Sequence, residues 1–233
     1  MRMAATIKND IRYQMKYGFY FLYLFVTAIY IGVILLVPAR YQDLTASIVM
    51  ISDPAMLGFF FIGGIWLLER GEGLHRFFVI SPLKPIEYIF AKAISLSLLS
   101  TGSVLAIMLV GVREIQAYPV ILLSVFIGSM IFTLLGMTVA TFARTVNHYL
   151  LISIPAEMFI VLPAALTAFS IRHPVFDFLP GTMLWRLLMR TYETPGEFSA
   201  LFLMFGLLVW LAIATIIAMR RIPTALLEEG GVM

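Results

Sequence analysis

AYPVILLSVFIGSMIFTLLGMTVATFA, residues 117–143, runs for 27 residues without a charged side chain. A helix needs about 20 mostly apolar residues to cross a hydrocarbon core of roughly 30 Å, so this stretch reads as a membrane span. Residues 17–39, 93–112 and 198–219 are equally free of charge, and 149–171 carries a single acid, Glu157. The uncharged run 54–68 is shorter. Ser52-Asp53-Pro54 ahead of it reads as a helix start, with Asp53 as the cap and proline at the first helical position, and the helix gains length if it continues into water through Glu69 and Arg70. The expected spans are about 17–39, 53–69, 92–112, 117–143, 149–171 and 198–219.

The rest of the chain agrees. Of 233 residues, 61% are apolar and 12% charged, against about 45–50% and 25% in a soluble domain. Such a chain cannot cover a core with a charged skin, which excludes a soluble enzyme, a disordered protein and a disulfide-stapled secreted domain. With no cysteine, thiolate catalysis and thiolate metal sites are excluded too. The expected fold is an all-α, polytopic integral membrane protein: one domain over 1–233, with no internal repeat or linker.

Loop charge sets the orientation. Arg2, Lys8, Arg12, Lys16, Arg70, Arg76, Lys84, Lys92, Arg144, Arg220 and Arg221 fall on the side of the termini, against Arg40, Arg113, Arg172, Arg186 and Arg190 on the other. Both termini are expected to be cytoplasmic in a plasma membrane. The basic excess then faces anionic headgroups, and nothing in it calls for nucleic acid. The leader 1–16 places Met3, Ile7, Ile11 and Met15 opposite Lys8, Asp10, Arg12 and Lys16, as in an interfacial amphipathic helix. The first span exceeds a signal-peptide core and no A-x-A site follows it, so it is not expected to be cleaved.

Small residues recur at close-packing intervals: Ala93, Ser97 and Thr101 in the third span, and Ser124, Gly128, Gly136 and Ala140 in the fourth. They suit helices whose backbones approach closely, within one chain or between two.

Two loops are more than connectors. ERGEGLHRFFVISPLKPIEY (69–88) sets charges at Glu69, Arg70, Glu72 and Arg76 ahead of the apolar patch 77–80. It suits either a short helix docking into a partner's cleft or one lying on lipid. In 172–197, Met183, Leu184, Leu187 and Leu188 oppose Arg186 and Arg190, between turns at Pro180-Gly181 and Pro195-Gly196. That segment is either a cap over a pathway or, as is more common, an interfacial helix.

Glu157 lies well inside the bilayer, where an acid marks a functional site or a hydrogen-bonded structural group. Pro155 and Pro163 beside it free backbone carbonyls, as a cavity lining would. There is no P-loop, no H-E-x-x-H and no G-x-S-x-G. His75, His148 and His173 fall in loops on differing sides, which leaves no shared metal site. The chain is therefore not expected to be an enzyme or to hold a cofactor itself.

Glu69, Arg70, Ser81, Pro82, Leu83, Glu87, Tyr88, Ala91 and Lys92, with the amphipathic leader, the spans and Leu179-Pro180 before the last of them, resemble permease subunits of type-2 ABC exporters. The run 16–20 (KYGFY) and Ser52-Asp53-Pro54 look like the small bacterial permeases labelled drug or fluoroquinolone export subunits. The resemblance implies that 69–81 is a coupling helix seated in a separate P-loop ATPase, which binds the ATP and magnesium. Its contacts would be Glu69, Arg70, Glu72, Leu74, His75, Arg76, Phe77, Phe78 and Ser81, with Arg76, Phe77 and Phe78 transmitting the motion. Gly71 and Gly73 would delay the helix start to about Leu74.

It also implies a second permease, identical or paralogous, with the pathway between the two, and paired external re-entrant helices at an outer gate that includes Leu179, Pro180, Met183 and Leu187. Phe25, Phe60, Phe61 and Glu157 are the candidate pathway residues for an amphiphilic or drug-like substrate. The rival expectations are a stand-alone proton-coupled transporter using Glu157, and a non-transporting membrane scaffold or immunity factor.

Overall fold

Charge-free runs of this length become helices because only a helix pairs every backbone group within its own segment. The computed structural model describes residues 2–53, 58–111, 118–169, 171, 173–189 and 199–230. In chain order its helices are α1 (Arg2–Lys16), α2 (Phe19–Leu36), α3 (Ala39–Ser52), α4 (Gly58–Gly71), α5 (Leu74–Ile80), α6 (Pro85–Gly111), α7 (Tyr118–Ala140), α8 (Val146–Ala168), α9 (Pro180–Met189) and α10 (Ala200–Gly230). A 3-10 turn covers Phe176–Phe178. Among the described residues, five helices (α2, α6, α7, α8 and α10) are long and apolar enough to cross a membrane.

The second expected span differs from the others. Thr27 meets Ser103, and Tyr23 and Ser100 share Asp53, so α2 runs parallel to α6. Asp53 lies by Ser100 and Ser103 whereas Glu69 lies by Tyr88 and Lys92, so the chain from α3 to α4 runs antiparallel to α6. The return between α2 and α6 therefore falls to α3 and α4, each of 14 residues. The expectation of a span opening at an Asp53 cap is corrected: 39–52 is already helical, because Ala46, Val49, Met50 and Ile51 bury against the bundle. Asp53 is 0% exposed. Pro54 lies outside the described residues.

Two further boundaries move. α6 starts at Pro85, inside the expected loop, with proline at a position where its missing N–H costs nothing. α10 continues past Arg220 and Arg221 to Gly230, because Ile222, Ala225 and Leu226 give that extension a buried face. There α10 packs on α5, and α1 packs on α6. The described beginning and end of the chain therefore share one end of the bundle.

The small-residue stripe on α7 is used within this chain. Gly128 lies against Leu184 of α9 and Gly136 against Phe59 and Ile62 of α4. A Cβ at Gly136 would come within 2.8 Å of the Phe59 carbonyl oxygen, a contact only glycine admits. The segment 172–197 is not interfacial in its described part: Pro180, Met183, Leu184, Trp185, Leu187 and Leu188 of α9 are all buried, packed against α3, α7, α8 and α10. Its basic side chain, Arg186, pairs with Asp177 of the preceding turn. Arg172, Arg190 and the second turn, Pro195-Gly196, lie outside the described residues.

Candidate functional site

A glycine pair interrupts the helix that leaves the bundle at Arg70. Gly73 has φ +70°, a left-handed conformation that L side chains avoid, and α5 starts at Leu74 as its sequence suggests. The helix is 7 residues long, so its faces are simple. His75 points inward, 1% exposed. Its ring stands 4.3 Å from that of Trp66 and its Nδ1 is hydrogen-bonded to Glu229 of α10. Phe78 is half-buried, with its ring 4.4 Å from Tyr88 of α6. The Ser81 hydroxyl closes the helix by donating to the Phe78 carbonyl at 2.9 Å and accepting from the Leu83 N–H at 3.3 Å. Arg76, Phe77 and Ile80 point outward, with Phe77 65% and Ile80 80% exposed.

Under α5 lies a buried ionic knot. Glu69 does not reach water, as its place in sequence suggests, because a long helix starting at Pro85 brings Lys92 alongside it. Lys92 Nζ donates to Glu69 Oε1 at 2.5 Å and to Asp10 Oδ1 at 2.8 Å. The Tyr88 hydroxyl donates to Glu69 Oε2 at 2.7 Å, and Gln14 Nε2 to Asp10 Oδ2 at 2.7 Å. Buried charges persist where they are paired and hydrogen-bonded, and here every oxygen of both acids has a donor. α1 therefore turns Asp10 and Gln14 toward the bundle. The expected split, with Asp10 on the wet face, is corrected: Met15 is 58% exposed.

Other members of the expected contact set are also engaged. Arg70 donates to the Ala143 carbonyl at 2.9 Å and lies 3.4 Å from Glu229. Glu72 accepts from Tyr13 at 3.0 Å and from Tyr17. Burial and the Glu72 carboxylate hold the Tyr13 phenol above the usual tyrosine range. Leu74 is half-buried. The loop thus presents a small exposed face while its inner face grips α1, α4, α6 and α10.

The expected pathway residues separate. Phe60 and Glu157 share a groove of about 270 Å³ with Ile154, Met158, Val161, Leu162 and Ala165. Phe61 turns elsewhere, with its ring 5.3 Å from that of Tyr23 and 5.7 Å from that of Phe19. Phe25 stands on the outside of α2, 55% exposed. Glu157 is the central residue of α8, between Pro155 and Pro163. Its Oε1 is buried with no hydrogen-bond partner among the described residues. The expected gate residues Leu179, Pro180, Met183 and Leu187 stay together at the start and on the buried faces of α9.

One polar centre escaped the sequence reading. Asp53 accepts from Ser100 at 2.8 Å and from Tyr23 and Ser103 at 3.1 Å. Its signal is the serine-rich run 95–103 in an otherwise apolar span, which marks a face of α6 that meets polar partners.

Comparison with known proteins adds a family. The model of the fluoroquinolones export permease protein family matches residues 1–222. Two relatives from Mycobacterium tuberculosis, strains CDC 1551 / Oshkosh and ATCC 25618 / H37Rv, are each named fluoroquinolones export permease protein. Each is 24% identical over 182 residues, covering 77% of this chain and 76% of the relative.

Proposed function

Because the chain belongs to the fluoroquinolones export permease family, we propose that it is the membrane subunit of an ATP-binding-cassette exporter, driven by a separate P-loop ATPase and moving an amphiphilic drug such as a fluoroquinolone out of a bacterial cell. The permease itself catalyses nothing; ATP and magnesium belong to the partner. Both termini and α5 face the cytoplasm, and two permease copies or paralogues assemble with two ATPases.

The observation that carries this reading is the two-sidedness of α5. Its outward Arg76, Phe77 and Ile80 form an apolar patch with a cation, of the kind that anchors in a cleft of a partner. Its inward His75 and Phe78 are tied to α10 and α6. A displacement of α5 by closing ATPase subunits therefore passes to those helices as a rigid-body movement. Glu69 carries it to α4, and through Lys92 and Asp10 to α1. At the far end, the buried α9 is the gate that this movement repacks.

Co-purification with the host's P-loop ATPase subunits tests the reading. Wild type is expected to retain an ATPase in detergent, whereas Phe77→Asp/Ile80→Asp releases it and still inserts with an unchanged melting curve, because both side chains are exposed. A complex that survives the double substitution, or that never forms, overturns the docking role of α5. Proton-coupled transport through Glu157 then becomes the better account.

A further inference from the structure

We propose that the groove between α4 and α8 binds an organic ammonium ion with an apolar body, entering sideways from the bilayer, with Glu157 as its counter-ion. The proposal rests on the export reading for its purpose, but not for its geometry.

The first ground is an unmatched acid. Among the described residues, Asp10, Asp53 and Glu69 are the other buried carboxylates, and each has a donor on both oxygens. Glu157 is 5% exposed and its Oε1 has no donor among the described residues. Besides Glu157, the lining is Phe60, Ile154, Met158, Val161, Leu162 and Ala165. None of these side chains supplies a cation or an N–H, so among the described residues the groove offers Glu157 no side-chain donor, and a ligand can supply one.

The second ground is the shape and polarity of the space. A volume of about 270 Å³ is slightly below the roughly 300–1,000 Å³ of pockets that enclose a drug-sized molecule. It takes one ring or short chain rather than a whole large ligand. Apolar walls recognise that body, and the single carboxylate recognises one positive charge. A metal ion is a poor fit, because among the described residues no three His, Cys, Asp or Glu side chains gather to hold one. An anion would be repelled.

The third ground is access. Ile154, Met158 and Leu162 follow one another along α8 at four-residue intervals and are 50%, 52% and 44% exposed. Their line flanks the groove on its exposed side, at the level of the middle of α8. An amphiphilic amine already dissolved in the bilayer meets the groove without passing through water.

The test is ligand-observed NMR of the permease alone in phosphatidylcholine nanodiscs, with 3-phenylpropylammonium and its uncharged counterpart 3-phenylpropan-1-ol as probes. A charge-assisted hydrogen bond is about twice as strong as a neutral one, so wild type is expected to bind the ammonium about 10-fold more tightly than the alcohol. Glu157→Gln is expected to remove that preference and leave the alcohol unchanged. Met158→Trp, which fills the groove and keeps the acid, is expected to abolish binding of both probes.

Equal affinities in wild type overturn the proposal. So does a preference that survives Glu157→Gln, or binding that ignores Met158→Trp. Should Glu157→Gln fail to fold, the wild-type preference and the Met158→Trp result decide alone. No ATPase is present in this assay, so its failure leaves the docking of α5 standing, and the failure of docking leaves this measurement intact.

Discussion

Lys92 of α6 sets its Nζ 2.8 Å from Asp10 Oδ1 of α1, 82 residues away in sequence, with side-chain exposures of 2% and 7%. The same ammonium lies 2.5 Å from Glu69 of α4 and 5.0 Å above the Tyr88 ring. One cation thus joins the first helix, the return helix and α6 beneath the loop that carries α5.

Removing that cation leaves two buried acids facing each other. Breaking a buried ion pair from one side costs about 3–5 kcal/mol, so Lys92→Met should lower the melting temperature strongly. Asp10→Asn should cost less, because Lys92 keeps Glu69. Thermal melts of the detergent-solubilised protein check the order; a Lys92→Met protein as stable as wild type would show that the knot contributes nothing.

Docking and transmission on α5 should separate. Phe78 faces Tyr88 rather than the partner's side, so Phe78→Ala is expected to keep the ATPase bound and to lose substrate-stimulated ATP hydrolysis. Truncating a fully buried phenylalanine costs about 3–5 kcal/mol; half-buried Phe78 should cost less, and the protein should remain folded. Pull-down and ATPase assays on the same preparation distinguish this from a loss of docking.

Asp53 accepts three hydroxyl groups; Ser103 also meets Thr27, but Tyr23 and Ser100 lose their acceptor if the acid is replaced by hydrocarbon. Leaving a buried donor unsatisfied costs about 1–3 kcal/mol. Asp53→Leu should therefore be much less stable than Asp53→Asn, which keeps an accepting oxygen. Equal melting temperatures for the two would mean that the hydroxyls find other partners.

Glycine substitutions should differ by place. An added Cβ at Gly136 meets the Phe59 carbonyl oxygen at 2.8 Å and its Cα at 3.1 Å, whereas at Gly32 nothing lies within 4 Å. Overpacking costs about 1–3 kcal/mol, so Gly136→Ala should destabilise, while Gly32→Ala should be neutral or slightly stabilising through helix propensity. Paired melts of the two variants read this directly.

Much of the architecture was legible. Residues 117–143 and 149–171 became α7 and α8 within about three residues at either end, because the absence of charge over such a length has one physical solution. The delayed start of α5 at Leu74 followed from Gly71 and Gly73. Less was legible where polar residues find polar partners. Asp53 read as a cap because Pro54 follows it, and Asp10 read as a wet residue because Lys8 and Arg12 flank it. Both readings used sequence neighbours only, whereas the serines of α6 and Lys92 are distant in the chain. The inward face of α5 was hidden for the same reason: His75 meets Glu229 across 154 residues.

By itself the sequence determined that this chain lives in a membrane, where most of its helices lie, and that Glu157 is an acid out of place. Those conclusions rest on the cost of putting charge and unpaired backbone into hydrocarbon, which depends on local composition alone. The tertiary structure decided which polar residues are paired, which face of α5 is free, that α9 is enclosed rather than afloat at the interface, and that Phe60, but neither Phe25 nor Phe61, stands beside Glu157. Pairing of buried charges depends on the register in which distant helices meet, and side chains far apart in sequence set that register.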